Sequence, residues 1–288
     1  MTKTIDYITP MVFPDDQEWR RTHGMAGNDA KTDVRYRTWG TEELLIRLVR
    51  RNMPWVRDII ILLAQDSQRQ PWMAKYGIKV VYHKEFIPER FLPTLNSRAI
   101  EMFLHKIPGL SERFLYGNDD VFPLSLTKEE DFFRDGKPCQ LYKERPLPSD
   151  RNLFHAACMN GLNFVARDFG RHFTGTWLEG GHSIAAILLD TCRELWSEHG
   201  DEIEKSVTKC REVCNFNQYI YGWRQHLAGN YVPSVQKRRN INVKKNTVEE
   251  MVQAIRSGGL VCINDNEAVQ DITPYATAAR REMERRLG

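Results

Sequence analysis

The chain has 288 residues, 41% hydrophobic and 27% charged, with a formal net charge of +3. This leaves ample material for a core and excludes a chain disordered throughout; the charge excess is too small to point to nucleic acid. No run of about 18 apolar residues suits a membrane span, and the start MTKTIDYITPMVF lacks the basic stretch and long apolar run of a secretory leader. The six cysteines form no CxxC pair and read as reduced thiols, so the expected location is the cytoplasm, with the inner face of the cytoplasmic membrane as a secondary site.

In chain order, Ile5 to Val12 reads as a buried strand. Thr41 to Asn52 reads as a helix with acids in its first turn and arginines in its last. Asp58 to Ala64 is a continuous apolar run, typical of a strand covered on both faces. Lys79 to Tyr82 is a short strand, Asn96 to His105 a helix, and Phe114 to Gly117 a third central strand that delivers Asn118, Asp119 and Asp120. The spacing then predicts helices over His182 to His199 and Asn215 to His226. A capping box at Thr247 and Glu250 starts a helix that ends at Gly258-Gly259. Leu260 to Ile263 is a last strand, and Ala276 to Leu287 a charged tail helix. Strands alternating with helices indicate an α/β fold with a mainly parallel sheet and a helical C-terminal half. No linker or repeat interrupts it, so one domain is expected over 1–288: sheet-rich to about 145, helical over about 146–258, then the final strand and tail helix.

The sharpest chemical signal is FLYGNDDVF, Phe114 to Phe122. Adjacent carboxylates and an amide beyond a strand end suit a divalent cation shared with phosphate oxygens, and equally suit an ordinary polar turn. VCINDNEA ends a second strand in Asn264 and Asp265, where Asp265 reads first as a helix cap and second as another acid of the same site. His182, after two glycines, is either a general base or a surface histidine. Arg211 is either a phosphate contact or a solvated side chain. No Walker loop, GxGxxG, GxSxG or HExxH pattern is present.

Taken in order, four stretches resemble the Stealth family of sugar-phosphate transferases: IDYITPMVFPDDQEW; Arg35 to Met73 continuing through LPTLNSRAIEMFLHKIPGLSERFLYGNDDVF; Gly181 to Trp223; and VCINDN. The resemblance implies a Rossmann-like fold of the nucleotide-sugar transferase kind. It also implies transfer of a sugar-1-phosphate from a UDP-sugar to a glycan hydroxyl, with release of UMP. Asp120, His182, Arg211 and Asp265 match the family's catalytic positions. Arg37, Arg47, Asn96, Ser97, Asn118, Asp119 and Asn264 match its substrate-binding ones, and a magnesium ion (Mg2+) is expected on Asp120 and Asp265. The implied partners are a nucleotide-sugar donor and a glycan acceptor, with peripheral contact to a membrane surface or to glycan-assembly proteins, and no nucleic acid. The chain departs from the family in its first stretch, where Met11-Val12-Phe13-Pro14 replaces Trp-Val-Asp/Asn-Gly. It departs again at Thr38-Trp39 and at Ser183-Ile184-Ala185. A glycosyltransferase using the same donor, or an inactive sugar- or nucleotide-binding protein, are the rival readings.

Overall fold

The structure, a computed structural model, describes residues 4–25, 35–149 and 152–288. In chain order its strands are β1 (Ile5–Pro10), β2 (Ile59–Leu63), β3 (Lys79–Tyr82), β4 (Arg113–Tyr116), β5 (Val121–Pro123), β6 (Phe133–Arg134), β7 (Lys137–Gln140), β8 (Lys143–Pro146), β9 (Thr176–Glu179), β10 (Ala185–Leu188), β11 (Val232–Pro233), β12 (Arg238–Asn242) and β13 (Leu260–Asn264). The central sheet runs β10-β4-β1-β2-β3. β1, β2, β3 and β4 are parallel, and β10 is antiparallel to β4 at one edge.

Alternation along these strands divides the core in two. Ile59, Ile61 and Leu63 of β2 pack with Tyr7 and Leu115 on one face. Ile60 and Leu62 pack with Ile8, Phe114 and Tyr116 on the other. Helices Glu42–Asn52, Val248–Ser257 and Thr273–Leu287 cover the first face; Leu153–Ala166, Leu189–Lys205 and Tyr219–Leu227 cover the second. All five residues of β2 are buried, each side chain contributing about 1.5–3 kcal/mol relative to exposure. At the opposite end of the strands from the cleft described below, the buried Asp6 accepts Arg57 Nε at 2.8 Å, Arg57 Nη2 at 2.6 Å and the Ser111 amide at 2.9 Å. That network locks the starts of β1, β2 and β4 together.

The α/β class and the mainly parallel central sheet hold, and several elements differ from expectation. The helix expected from His182 begins only at Leu189, because Ala185–Leu188 form β10. Ala186 and Ile187 enter opposite core clusters, as a strand with two covered faces requires. The helix expected from Asn215 starts at Tyr219, since Asn215 and Asn217 spend their side chains on backbone partners. The final strand does not extend the central sheet. β13 lies between β12, parallel, and β5, antiparallel. The stretch expected to be helical also supplies β9 to β12, and helix Leu153–Ala166 was not foreseen.

Candidate active site

The carboxyl ends of β1 to β4 open onto one cleft of about 410 Å³, the position where ligands bind in open α/β sheets. Asp120, His182, Arg211 and Asp265, from four distant stretches of sequence, all line it. Asn118 to Asp120 form the turn between β4 and β5. Val121 N closes that turn on Asn118 O at 3.2 Å, and Ile263 N of β13 holds Asp120 O at 2.9 Å.

His182 Nε2 lies 3.1 Å from Asp120 Oδ1 and 3.0 Å from the Asn118 amide nitrogen. The Cys262 thiol donates to Asp120 Oδ2 at 3.5 Å. Burial works against both charges of the Asp120–His182 pair, yet their mutual attraction and hydrogen bond prevail. They lower the Asp120 carboxyl and raise the His182 imidazole. Enclosure by the protein, then Asp120 and Glu42, push the Asp119 carboxyl up to about 7, although its side chain is open to cleft water. Burial, then Asp120, pushes the Cys262 thiol well above its usual range.

Arg211 is exposed at the cleft and donates to Ser97 Oγ at 2.8 Å. Asn96 is buried. Its amide holds Thr208 O at 2.9 Å, Cys210 O at 3.1 Å and Asn215 Oδ1 at 2.9 Å, which fixes the loop that carries Arg211. Asn264 lines the cleft and bonds Asn240. Arg47, half-buried within helix Glu42–Asn52, is not among the cleft-lining residues.

Arg37 and Asp265 form a paired anchor. The Asp265 carboxylate takes Arg37 Nε at 2.7 Å and Arg37 Nη2, Trp39 Nε1 at 3.0 Å and its neighbour's amide at 2.7 Å. Arg37 also donates to the carbonyls of Val269, Gln270 and Asn266. Asp265 is therefore not a cap: the tail helix starts at Thr273 with Ile272 before it. Nor does it join the group of potential metal ligands around Asp120, which consists of Asp120, His182 and Cys262 within 4.8 Å of one another. Asp265 and Arg37, expected as a cation ligand and a substrate contact, both line the cleft and here are paired with each other.

Magnesium fits a smaller donor set. Asp119 and Asp120 offer adjacent carboxylate oxygens beside an asparagine amide, and Mg2+ commonly takes one or two carboxylates plus phosphate oxygens. After enclosure by the protein, the neighbouring Asp120 and Glu42 carboxylates raise the Asp119 carboxyl, and a cation would relieve that crowding of negative charge. The protonated Cys262 thiol and the His182 nitrogen suit magnesium less well.

Residues 35–140 match the family profile described as Stealth protein CR2, conserved region 2. The receptor polysaccharide phosphotransferase WefC of Streptococcus gordonii is 26% identical over 327 residues, covering 100% of this chain and 98% of that protein. The match to the Stealth profile covers conserved region 2, and the similarity to polysaccharide phosphotransferases runs the length of the chain. The capsular polysaccharide phosphotransferase CpsJ of Streptococcus thermophilus is 42% identical over 113 residues, 38% of this chain and 47% of that protein. The exopolysaccharide phosphotransferase SCO6023 of Streptomyces coelicolor is 29% identical over 278 residues, 91% of this chain and 47% of that protein. The matched Stealth region contributes Arg37, Ser97 and Asn118–Asp120 to the cleft. His182, Arg211 and Asp265 reach the same cleft from outside it.

Several residues at this site carried no sequence signal. Cys262 sits two residues before Asn264, and β13 turns it toward Asp120. Trp39, at a position that departs from the family pattern, becomes a partner of Asp265. Tyr7 lies fully buried beneath the Asn118–Asp120 turn, its hydroxyl without a hydrogen-bond partner among the described residues. Burial, then Asp119 and Asp120, push that hydroxyl far above the usual phenol range. The chain just before the turn passes so close that a Cβ on Gly117 would stand 2.4 Å from the Tyr7 hydroxyl. Gly117→Ala must therefore displace either Tyr7 or the turn. A stability loss of about 1–3 kcal/mol in denaturant unfolding is expected, with a fall in turnover beyond what the unfolded fraction explains. Wild-type turnover and stability together would contradict this.

Proposed function

We propose that this protein is a phosphotransferase that moves a hexose-1-phosphate, such as GlcNAc-1-phosphate, from a UDP-sugar to a glycan hydroxyl and releases UMP. It acts in the cytoplasm in the synthesis of capsule or another surface polysaccharide. The observation that carries this reading is the meeting of Asp120, His182 and Arg211 on one cleft beyond the strand ends. Relatives named for polysaccharide phosphotransfer support it.

In the proposed reaction the acceptor oxygen attacks the β-phosphorus, which bears the sugar. The bond from that phosphorus to the bridging oxygen breaks, and UMP leaves. Positioning and charge neutralisation account for most of the catalysis, because a phosphoryl centre needs little covalent help. His182, poised by Asp120, takes the hydroxyl proton. Arg211 neutralises non-bridging oxygens. Asp120 and Asp119 would hold Mg2+, which supplies charge stabilisation on the pyrophosphate when bound.

Incubation with a panel of nucleotide-sugars and a glycan acceptor, followed by phosphorus NMR, tests the reading. UMP and a new phosphodiester are expected. Release of UDP with a glycosidic product would make the protein a glycosyltransferase instead. A separate expectation concerns the cation: exhaustive chelation should abolish turnover and added magnesium should restore it. Undiminished turnover after chelation would remove the metal from the mechanism.

A further inference from the structure

The cleft has a second end that the reaction above does not use. It lies beyond β1, β2 and β3, where Val12, Ala64 and Leu95 present half-buried apolar side chains against the buried Trp19 and Tyr36. His83, which directly follows β3, also lines the cleft while only 6% exposed, and among the described residues its Nε2 has no hydrogen-bond partner. A buried polar atom left unpaired forfeits its hydration without recompense, so an orphan on a ligand cleft calls for an explanation. β4, β1, β2 and β3 are neighbours in that order. His83 therefore stands three strand spacings, roughly 14 Å, from the Asn118–Asp120 turn.

We infer that this end of the cleft is the nucleobase subsite of the donor, where a pyrimidine ring slides between Val12, Ala64 and Leu95 and its polar edge pairs with His83 Nε2. The inference rests on the nucleotide-sugar reading given above and adds which part of the donor goes where. A hexose suits this end poorly: its several hydroxyls need several polar partners, whereas Val12, Ala64, Leu95, Trp19 and Tyr36 make the described lining here mainly apolar and aromatic, with Arg35 and Thr94 the polar side chains next to Tyr36 and Leu95 in the chain. A pyrimidine has two apolar faces and one polar edge, which is the complement of this slot. The edge carries both donors and acceptors, so either neutral tautomer of His83 finds a mate. Burial, with His23 nearby, holds the imidazole down at about 3, so it stays neutral throughout the physiological range and presents a hydrogen bond without a charge. The separation also suits the ligand: with the β-phosphate at Asp120 and Arg211, an extended nucleoside diphosphate reaches toward the far strands.

The test is calorimetric titration of the full chain, in magnesium, with UMP and with ribose 5-phosphate, which lacks the base. His83→Leu should weaken UMP about fivefold to tenfold, the effect of one lost neutral hydrogen bond, and leave ribose 5-phosphate unchanged. His83→Asn should recover part of the loss. Ala64→Phe, which fills the slot without touching His83, should weaken UMP at least as much, again sparing ribose 5-phosphate, and it keeps the test valid if His83→Leu fails to fold. Unchanged UMP affinity in the folded variants overturns the base subsite while leaving the donor reading standing. A wild-type protein that binds ribose 5-phosphate and UMP equally well overturns it too. Failure of the wild type to bind UMP at all overturns the donor reading and this inference together.

Discussion

His182→Ala should lower turnover by about 10²-fold or more, and Asp120→Asn should do the same, with the fold retained in each case. Both side chains are about 30% exposed at the cleft, so neither supplies much core packing and a loss of rate would report on the chemistry. The two residues act as a unit. Through one 3.1 Å contact His182 lowers the Asp120 carboxyl and Asp120 raises the imidazole, so the double variant should be little worse than either single one, as residues acting together behave. The pairing also fixes a sign. A carboxylate beside an imidazole favours the imidazolium, so in the metal-free protein the His182 ring should titrate above its ordinary value of about 6.5. Asp120→Asn removes that negative charge while burial remains, and the midpoint should fall. Histidine NMR titration of both proteins checks this. A midpoint at or below the ordinary value in the wild type, or no acidward movement in Asp120→Asn, would disconnect the pair. Near-normal turnover in both single variants would remove them from the mechanism.

What was legible in the sequence follows from how local each signal is. The run Ile59–Leu63 is readable as a strand because a parallel strand buried on both faces must be apolar at every position. The helix at Val248 is readable because its cap is written in four residues, Thr247 to Glu250, and that capping box is formed. The Asn118–Asp120 turn is readable because a strand must deliver something at its end. Ala185–Leu188 was misread because a short apolar run fits either period, and only the free edge of β4 decides for a strand. The role of Asp265 was not legible for a different reason. Its partner Arg37 lies 228 residues away, and nothing local distinguishes a carboxylate that meets a cation from one that meets a guanidinium. His83 and Tyr7 are harder still. What singles them out is a missing hydrogen bond, which exists only once the surrounding walls are in place.

The Arg37–Asp265 pair carries the largest expected effect on stability and separates an anchor from an active acid. Its side chains are only 14% and 15% exposed. Removing one partner leaves the other partly buried without its counter-charge, which typically costs about 3–5 kcal/mol. Asp265→Ala should therefore lower the unfolding midpoint by several degrees and loosen the segment that carries Trp39, whose indole donates to the same carboxylate. Asp265→Asn is the more telling change. It keeps an oxygen for Arg37 and Trp39 while losing the charge, so an anchoring role predicts clear destabilisation with turnover well above that of Asp120→Asn. A role on the substrate or on a cation predicts the opposite: stability close to wild type and turnover as low as in Asp120→Asn. The double variant Arg37→Met, Asp265→Leu adds a third reading. Replacing both charges by apolar groups removes the desolvation cost that burdens the single variants, so part of the lost stability should return. If the double variant is instead destabilised by the sum of the single losses, the two side chains are not coupled, and the contact that joins the start of the matched Stealth region to the end of β13 does not hold the cleft in shape.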